Sequence, residues 1–169
     1  FIEETRLFDP ELTAEDIGQA IRTLWIFNIL QATMDEEVKL NKAILGYSLL
    51  YPYTDNYLDD VSIAKAQKKQ FNSRLSKRLR GEELETLNDH ESKVYGLVKY
   101  IEDTFPRKAY KEVYEALCEI NSGQIKSLDQ QSKGNELSED ELLKISVEKG
   151  GASVLVDGYL INGSLSPEE

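Results

Sequence analysis

Apolar residues return every three or four positions in six successive stretches of this chain, and no stretch alternates apolar with polar long enough to make a strand. That periodicity predicts an all-α fold, a bundle of about six helices. The punctuation agrees with it. Thr13-Ala14-Glu15-Asp16 has the form of a capping box, with an acid three residues after the Thr cap. Ile17, Ile21, Leu24 and Trp25 follow at helical spacing, and the almost wholly apolar run Leu24 to Leu30 predicts a segment buried on most sides. A second stretch runs from Val38 through Leu50 to Tyr53, where Pro52 is expected to kink or end the helix. Phe71, Leu75 and Leu79, spaced by four, mark an amphipathic helix closed by Gly81. Val94, Val98, Ile101 and Phe105 mark the next, and Tyr110, Val113, Tyr114, Leu117 and Leu128 the one after Pro106. After a turn at Lys133-Gly134-Asn135, a second capping box at Ser138 leads to Ile161, with Asn162-Gly163 as C-cap.

Composition narrows what such a bundle can do. Hydrophobic residues make up 40% of the chain, enough for a packed core, and 20 Lys+Arg against 31 Asp+Glu leave a formal charge of −11. A chain so acidic makes few of the basic contacts on which affinity for phosphate polymers depends, so no nucleic-acid partner is expected. An anionic substrate would need a metal ion or a local cluster of cations. The single cysteine, Cys118, excludes an internal disulfide and any multi-Cys zinc site, and it reads as a small core residue. No apolar run approaches the roughly 18 residues of a membrane span, so no stable membrane insertion and a cytoplasmic location are expected. His90, among Asn88, Asp89 and Glu91, reads as exposed. Residues 1–169 read as one helical domain. It begins without Met and ends on Ser166-Pro167-Glu168-Glu169, a helix start with no helix after it, so truncation at both ends is expected.

Three places carry residue types that suit chemistry. In Asp55-Asn56-Tyr57-Leu58-Asp59-Asp60 the first and fifth residues share a helical face, and no Lys or Arg occurs between Lys42 and Lys65. Crowded carboxylates without cations call for a divalent ion or for full solvation, and either reading fits the spacing. Oxygen ligands alone suit Mg²⁺; an EF-hand is excluded, because its sixth and twelfth places fall on Asp60 and Ala66. Gly123-Gln124, with Asp129 beyond, puts polar groups on a helix otherwise facing the core, either as site residues or as a solvated face. Lys149-Gly150-Gly151 predicts a helix break, for close packing or to offer backbone N–H groups and a lysine to an anion.

The order of these three segments resembles the class I isoprenoid synthase superfamily, especially the trans-polyprenyl diphosphate synthases. Asp55-Asn56-Tyr57-Leu58-Asp59 is similar to the family's Asp-Asp-x-x-Asp, with Asn second and an extra Asp60. Gly123-Gln124 with Asp129 is similar to Gly-Gln-x-x-Asp with the acid displaced. Lys149-Gly150 is similar to a Lys-Thr pair without the hydroxyl, and Arg78-Leu79-Arg80-Gly81 loosely echoes a basic Arg-Arg-Gly run. The likeness covers residues 36–165, and the family's second Asp-rich motif would come later. It implies a helical isoprenoid-synthase-type fold and a Mg²⁺-dependent ionisation of an allylic prenyl diphosphate. Asp55 and Asp59, with Asn56 and Asp60, would be the metal ligands, Lys149 a cation on the opposite wall, and Gln124 a substrate-binding residue. Tyr47, Tyr51 and Phe27 would wall the pocket, or are ordinary core. A homodimer is compatible with all of this. The competing class is a non-catalytic helical interaction module with a solvent-exposed acidic cluster.

Overall fold

The computed structural model describes the backbone of residues 1–133 and 139–165, and the side chains of residues 1–126, 143, 151 and 153–165. Among the described residues there are seven helices and no strand: α1 (Ile2–Phe8), α2 (Ala14–Thr33), α3 (Lys42–Asp59), α4 (Lys65–Leu79), α5 (Asp89–Thr104), α6 (Lys111–Lys133) and α7 (Glu139–Asn162). The chain is an all-α bundle. The helix beyond the six expected is α1, whose seven residues are too few to show a period. The expected turn at Gly134-Asn135, the Ser138 cap and the Ser166-Pro167 helix start lie outside the described residues.

α3 is the centre of the bundle. It packs against α5 and α2 and touches α7, while α6 packs against α7 and α4. Leu49 and Ile44 on α3 are fully buried with Val94, Leu97, Val98 and Ile101 of α5, Phe27 of α2, Val113 of α6 and Val156 of α7. Gly46 lets α3 and α5 approach: a Cβ there would lie 2.8 Å from the Leu97 carbonyl oxygen. Pro52 does not end α3, which continues to Asp59. The proline removes one N–H from the ladder, a loss that burial of the helix on several sides outweighs. Asn41 caps α3, its Oδ1 accepting from the Ile44 N–H at 2.8 Å.

The predicted caps fix the other boundaries. Thr13 Oγ1 accepts from the Asp16 N–H at 3.1 Å while Asp16 Oδ2 accepts from the Thr13 N–H at 3.0 Å, the reciprocal pair of a capping box. Gly163 closes α7 at φ 77°, a left-handed conformation suited to glycine. Two features of the helix pattern turn out differently. α7 runs unbroken through Gly150 and Gly151, so no backbone N–H is released there, and Gly151 has no neighbour that would meet a Cβ. On α2, Trp25, Ile26 and Ile29 are 64%, 45% and 57% exposed, so Leu24 to Leu30 buries one face, through Phe27, and not most sides.

Ion pairs fasten the outer helices. Glu102 of α5 accepts from Arg78 of α4 at 2.7 Å and from Arg107 at 2.7 Å, and Arg107 also donates to the Leu79 and Arg78 carbonyls at the end of α4. The Arg78 of the loose Arg-Arg-Gly echo is therefore engaged in structure. Asp9, buried after α1, accepts from the Tyr53 hydroxyl and pairs with Lys93 at 2.9 Å. Burial alone would raise its pKa; the hydrogen bonds from Tyr53 and Lys93 outweigh that and hold the carboxyl below its ordinary value. No described helix is long and apolar enough to cross a membrane.

Candidate functional site

A cavity of about 60 Å³ opens between α3, α4 and α6. α3 supplies Tyr47, Leu50, Tyr51 and Thr54; α4 supplies Leu75 and Leu79; α6 supplies Leu117, Ile120, Asn121 and Gln124. Three of the residues expected to bind substrate, Tyr47, Tyr51 and Gln124, thus share one hollow. Gln124 is buried, so its amide belongs to the wall and not to a solvated face. Phe27 is not on the wall. It is fully buried and meets the Tyr47 ring edge-to-face, with centroids 5.9 Å apart, which makes it core support for that ring.

The expected metal ligands leave α3 in two directions. Tyr47, Tyr51, Asp55 and Asp59 recur at four-residue intervals and so descend one side of the helix. Asp55 is half-buried and accepts a hydrogen bond from the Tyr51 hydroxyl, whose pKa is raised by burial first and by the Asp55 charge second. Asp59, one turn on, is exposed. Asn56 turns instead toward α2, where its Nδ2 donates to Asp16 Oδ1 at 2.9 Å and to Gln19 Oε1 at 3.0 Å. Asp60 folds back on the loop, accepting from the Ser62 hydroxyl at 2.7 Å and the Ser62 N–H at 2.8 Å, bonds that lower its pKa. Asn56 and Asp60 line a separate hollow beside Tyr57 and His90. Among the described residues no three Asp, Glu, His or Cys side chains form a group that could hold a metal ion. Of the four expected ligands, Asp55 and Asp59 are the two that stay on one side of α3. The side chains of Lys149 and Asp129 lie outside the described residues.

Behind the Tyr47 ring lies a second polar group that residue spacing does not announce. The Tyr47 hydroxyl is hydrogen-bonded to Ser153 of α7, and burial first, then the charges of Asp157 and Asp55, push its pKa up. Asp157 is 2% exposed, and its Oδ1 has no hydrogen-bond partner. Burial raises that carboxyl to about 7. One sign of it stood in the sequence: Asp157 is the only charged residue between Lys149 and Glu168, inside the run Val154-Leu155-Val156-Asp157-Gly158-Tyr159-Leu160-Ile161. Asn121 was equally legible, four residues after Leu117 on the buried stripe of α6. Its Nδ2 donates to Ser76 Oγ at 2.6 Å, and its Oδ1 is buried without a partner.

His90 is not exposed. It stacks on Tyr57 at 4.3 Å between centroids and abuts Phe71 at 5.1 Å, and burial lowers its pKa. Cys118 is half-buried, its thiol pushed up by burial, which is the inert state and not the nucleophilic one. No family model, no curated protein and no solved structure matches this chain.

Proposed function

We propose that the chain is part of a class I isoprenoid enzyme, which ionises an allylic prenyl diphosphate for transfer or cyclisation. The observation that carries this reading is the line on α3, in which carboxylates at the surface end lead, turn by turn, to aromatic rings on a cavity wall. Asp55 and Asp59 would hold Mg²⁺ at the mouth. When bound, the ion supplies positive charge to the leaving diphosphate, an interaction that strengthens as the bond breaks. Tyr51 orients Asp55 through its hydroxyl while its ring faces the hollow. Tyr47 and Gln124 line the inner wall, where an aromatic face favours a developing cation. At about 60 Å³ the hollow holds one small group; the apolar cavity that accepts benzene in another protein is roughly 150 Å³. A prenyl tail therefore enters only if Tyr51, 47% exposed at the mouth, swings aside.

The test is Mg²⁺-dependent release of diphosphate from prenyl diphosphates of one to four isoprene units by the full chain. Asp55→Ala and Asp59→Ala should each lower turnover by about a hundredfold or more, as loss of a transition-state charge contact does. Turnover unchanged in both variants removes the carboxylates from the chemistry. A second reading, a helical interaction module, is favoured by the exposed Trp25, Ile26 and Ile29 on α2. It gains if the wild type releases no diphosphate from any of these substrates.

A further inference from the structure

The charge of this chain is unevenly spread. Against a formal −11, a cleft of about 410 Å³ between the end of α4 and the start of α6 is lined by Arg80, Arg107 and Lys111 with Glu115 as its one acid. Arg107 is fixed in place. It donates to Glu102 at 2.7 Å and to the Leu79 and Arg78 carbonyls, and its guanidinium lies 3.9 Å from the centre of the Tyr114 ring. Glu102 serves Arg78 as well as Arg107, so these three groups keep one positive charge in excess. Arg80 and Lys111 are exposed, and among the described residues neither side chain has a hydrogen-bond or ion-pair partner. Lys111 opens α6, where the helix dipole favours an acid, so its position is not explained by the helix. With Glu115 set against them, the cleft holds two uncompensated positive charges. Its floor is apolar, made by Leu79, the Tyr114 ring and the Cys118 thiol.

The cleft is also remote from the carboxylates of α3. α4 runs back along α3: Phe71 meets the Tyr57 ring with centroids 4.7 Å apart, and Leu79, further along α4, shares a cavity wall with Tyr47. From Phe71 to Leu79 the helix rises about 12 Å, which carries Arg80 to the end of the bundle away from Asp59. We propose that Arg80 and Lys111, backed by Arg107, form a binding site for a phosphate monoester with a small apolar body. Such a ligand carries close to two negative charges at neutral pH, the number the cleft leaves uncompensated. The Arg80 fork suits two phosphate oxygens and Lys111 adds a point charge, while the apolar body lies on Leu79, Tyr114 and Cys118. The volume falls within the roughly 300–1,000 Å³ of small-ligand pockets. This site goes beyond the proposed reaction: it uses none of that reaction's residues and needs no metal ion.

The probe is phenyl phosphate, titrated calorimetrically into the full chain at about pH 7.5, where it is close to doubly charged, with EDTA present and ionic strength held constant. A second readout gives the place. Cys118 is the only cysteine and lies in the cleft lining, so a ligand there should slow its alkylation by N-ethylmaleimide. Phenyl phosphate should bind saturably and about tenfold tighter than phenyl sulfate, which has the same shape and one charge fewer. Arg80→Gln and Lys111→Gln, both surface changes, should each weaken it about tenfold, as loss of a charged hydrogen bond does. Glu115→Gln, which removes the one acid, should strengthen it. No binding by wild type, phenyl sulfate bound as tightly, binding undiminished in the Arg80→Gln, Lys111→Gln double variant, or an alkylation rate that the ligand leaves unchanged overturns the site. Binding lost in Asp55→Ala or Asp59→Ala puts the phosphate at α3 and overturns it too. Binding retained in both, whatever diphosphate release shows, upholds the cleft independently of the isoprenoid reading.

Discussion

His90 sits on α5 with its ring stacked on Tyr57 and closed in by Phe71 and Tyr53, and its Nε2 is buried without a partner. Such a site favours the neutral imidazole, so its folded pKa lies below the ordinary value of about 6.5. A depressed pKa means that the unfolded chain takes up the proton first. The stabilisation is present above the ordinary value and is lost as pH falls through the folded one. His90→Phe should therefore lose less stability than wild type between pH 7 and pH 5, as read by chemical denaturation at each pH. The buried position was legible. His90 stands four residues before Val94 and eight before Val98, on the same stripe, and the acidic neighbours Asp89 and Glu91 disguised it. Asp157 repeats the lesson with the opposite sign. A lone charge inside an apolar run is a buried charge, whereas Asp55 and Asp59, grouped with other acids, stay at or near the surface.

At the scale of elements, α3 carries both the core and the site, and Gly46 decides how close it comes to α5. A methyl at 2.8 Å from the Leu97 carbonyl oxygen would push against backbone, which cannot rotate away. Gly46→Ala should cost about 1–3 kcal/mol of unfolding free energy despite alanine's better helix propensity. It should also loosen the α3 line of Tyr47, Tyr51 and Asp55; thermal melts of the variant check the first effect. Six of the seven helices were legible because each keeps its apolar period over two or more turns, and most start on a cap or after a breaker. α1 is too short for a period. The helix end expected at Pro52 and the break expected at Gly150-Gly151 do not occur, because a proline or glycine lowers local propensity without by itself ending a helix. The exposed stripe on α2 was not legible. A run of apolar residues gives hydrophobicity but not the identity of the neighbour that covers each face.

The whole molecule is acidic, with a formal charge of −11, and repels itself at low ionic strength. Added NaCl should raise its melting temperature by screening alone. MgCl₂ at matched ionic strength should raise it further if Asp55 and Asp59 act as a pair, and the excess should vanish in the Asp55→Asn, Asp59→Asn double variant. Equal melting curves in the two salts would leave the pair without an affinity for the ion. The division of the expected ligand set was partly legible. Adjacent residues on a helix point about 100° apart, which separates Asn56 from Asp55, but the partners that hold Asn56 on α2 and Asp60 on the Ser62 loop come from packing and from the end of α3 at Asp59.

The seven residues of α1 could not stay helical alone. What seats them is Asp9, whose carboxylate is the acceptor for Tyr53 in the central helix and for Lys93 in its neighbour. The opening segment is therefore tied into the bundle through Asp9. A protein made to start after residue 12 would leave the Tyr53 hydroxyl without its acceptor and Lys93 with Asp89 alone, and anyone trimming this chain should cut elsewhere.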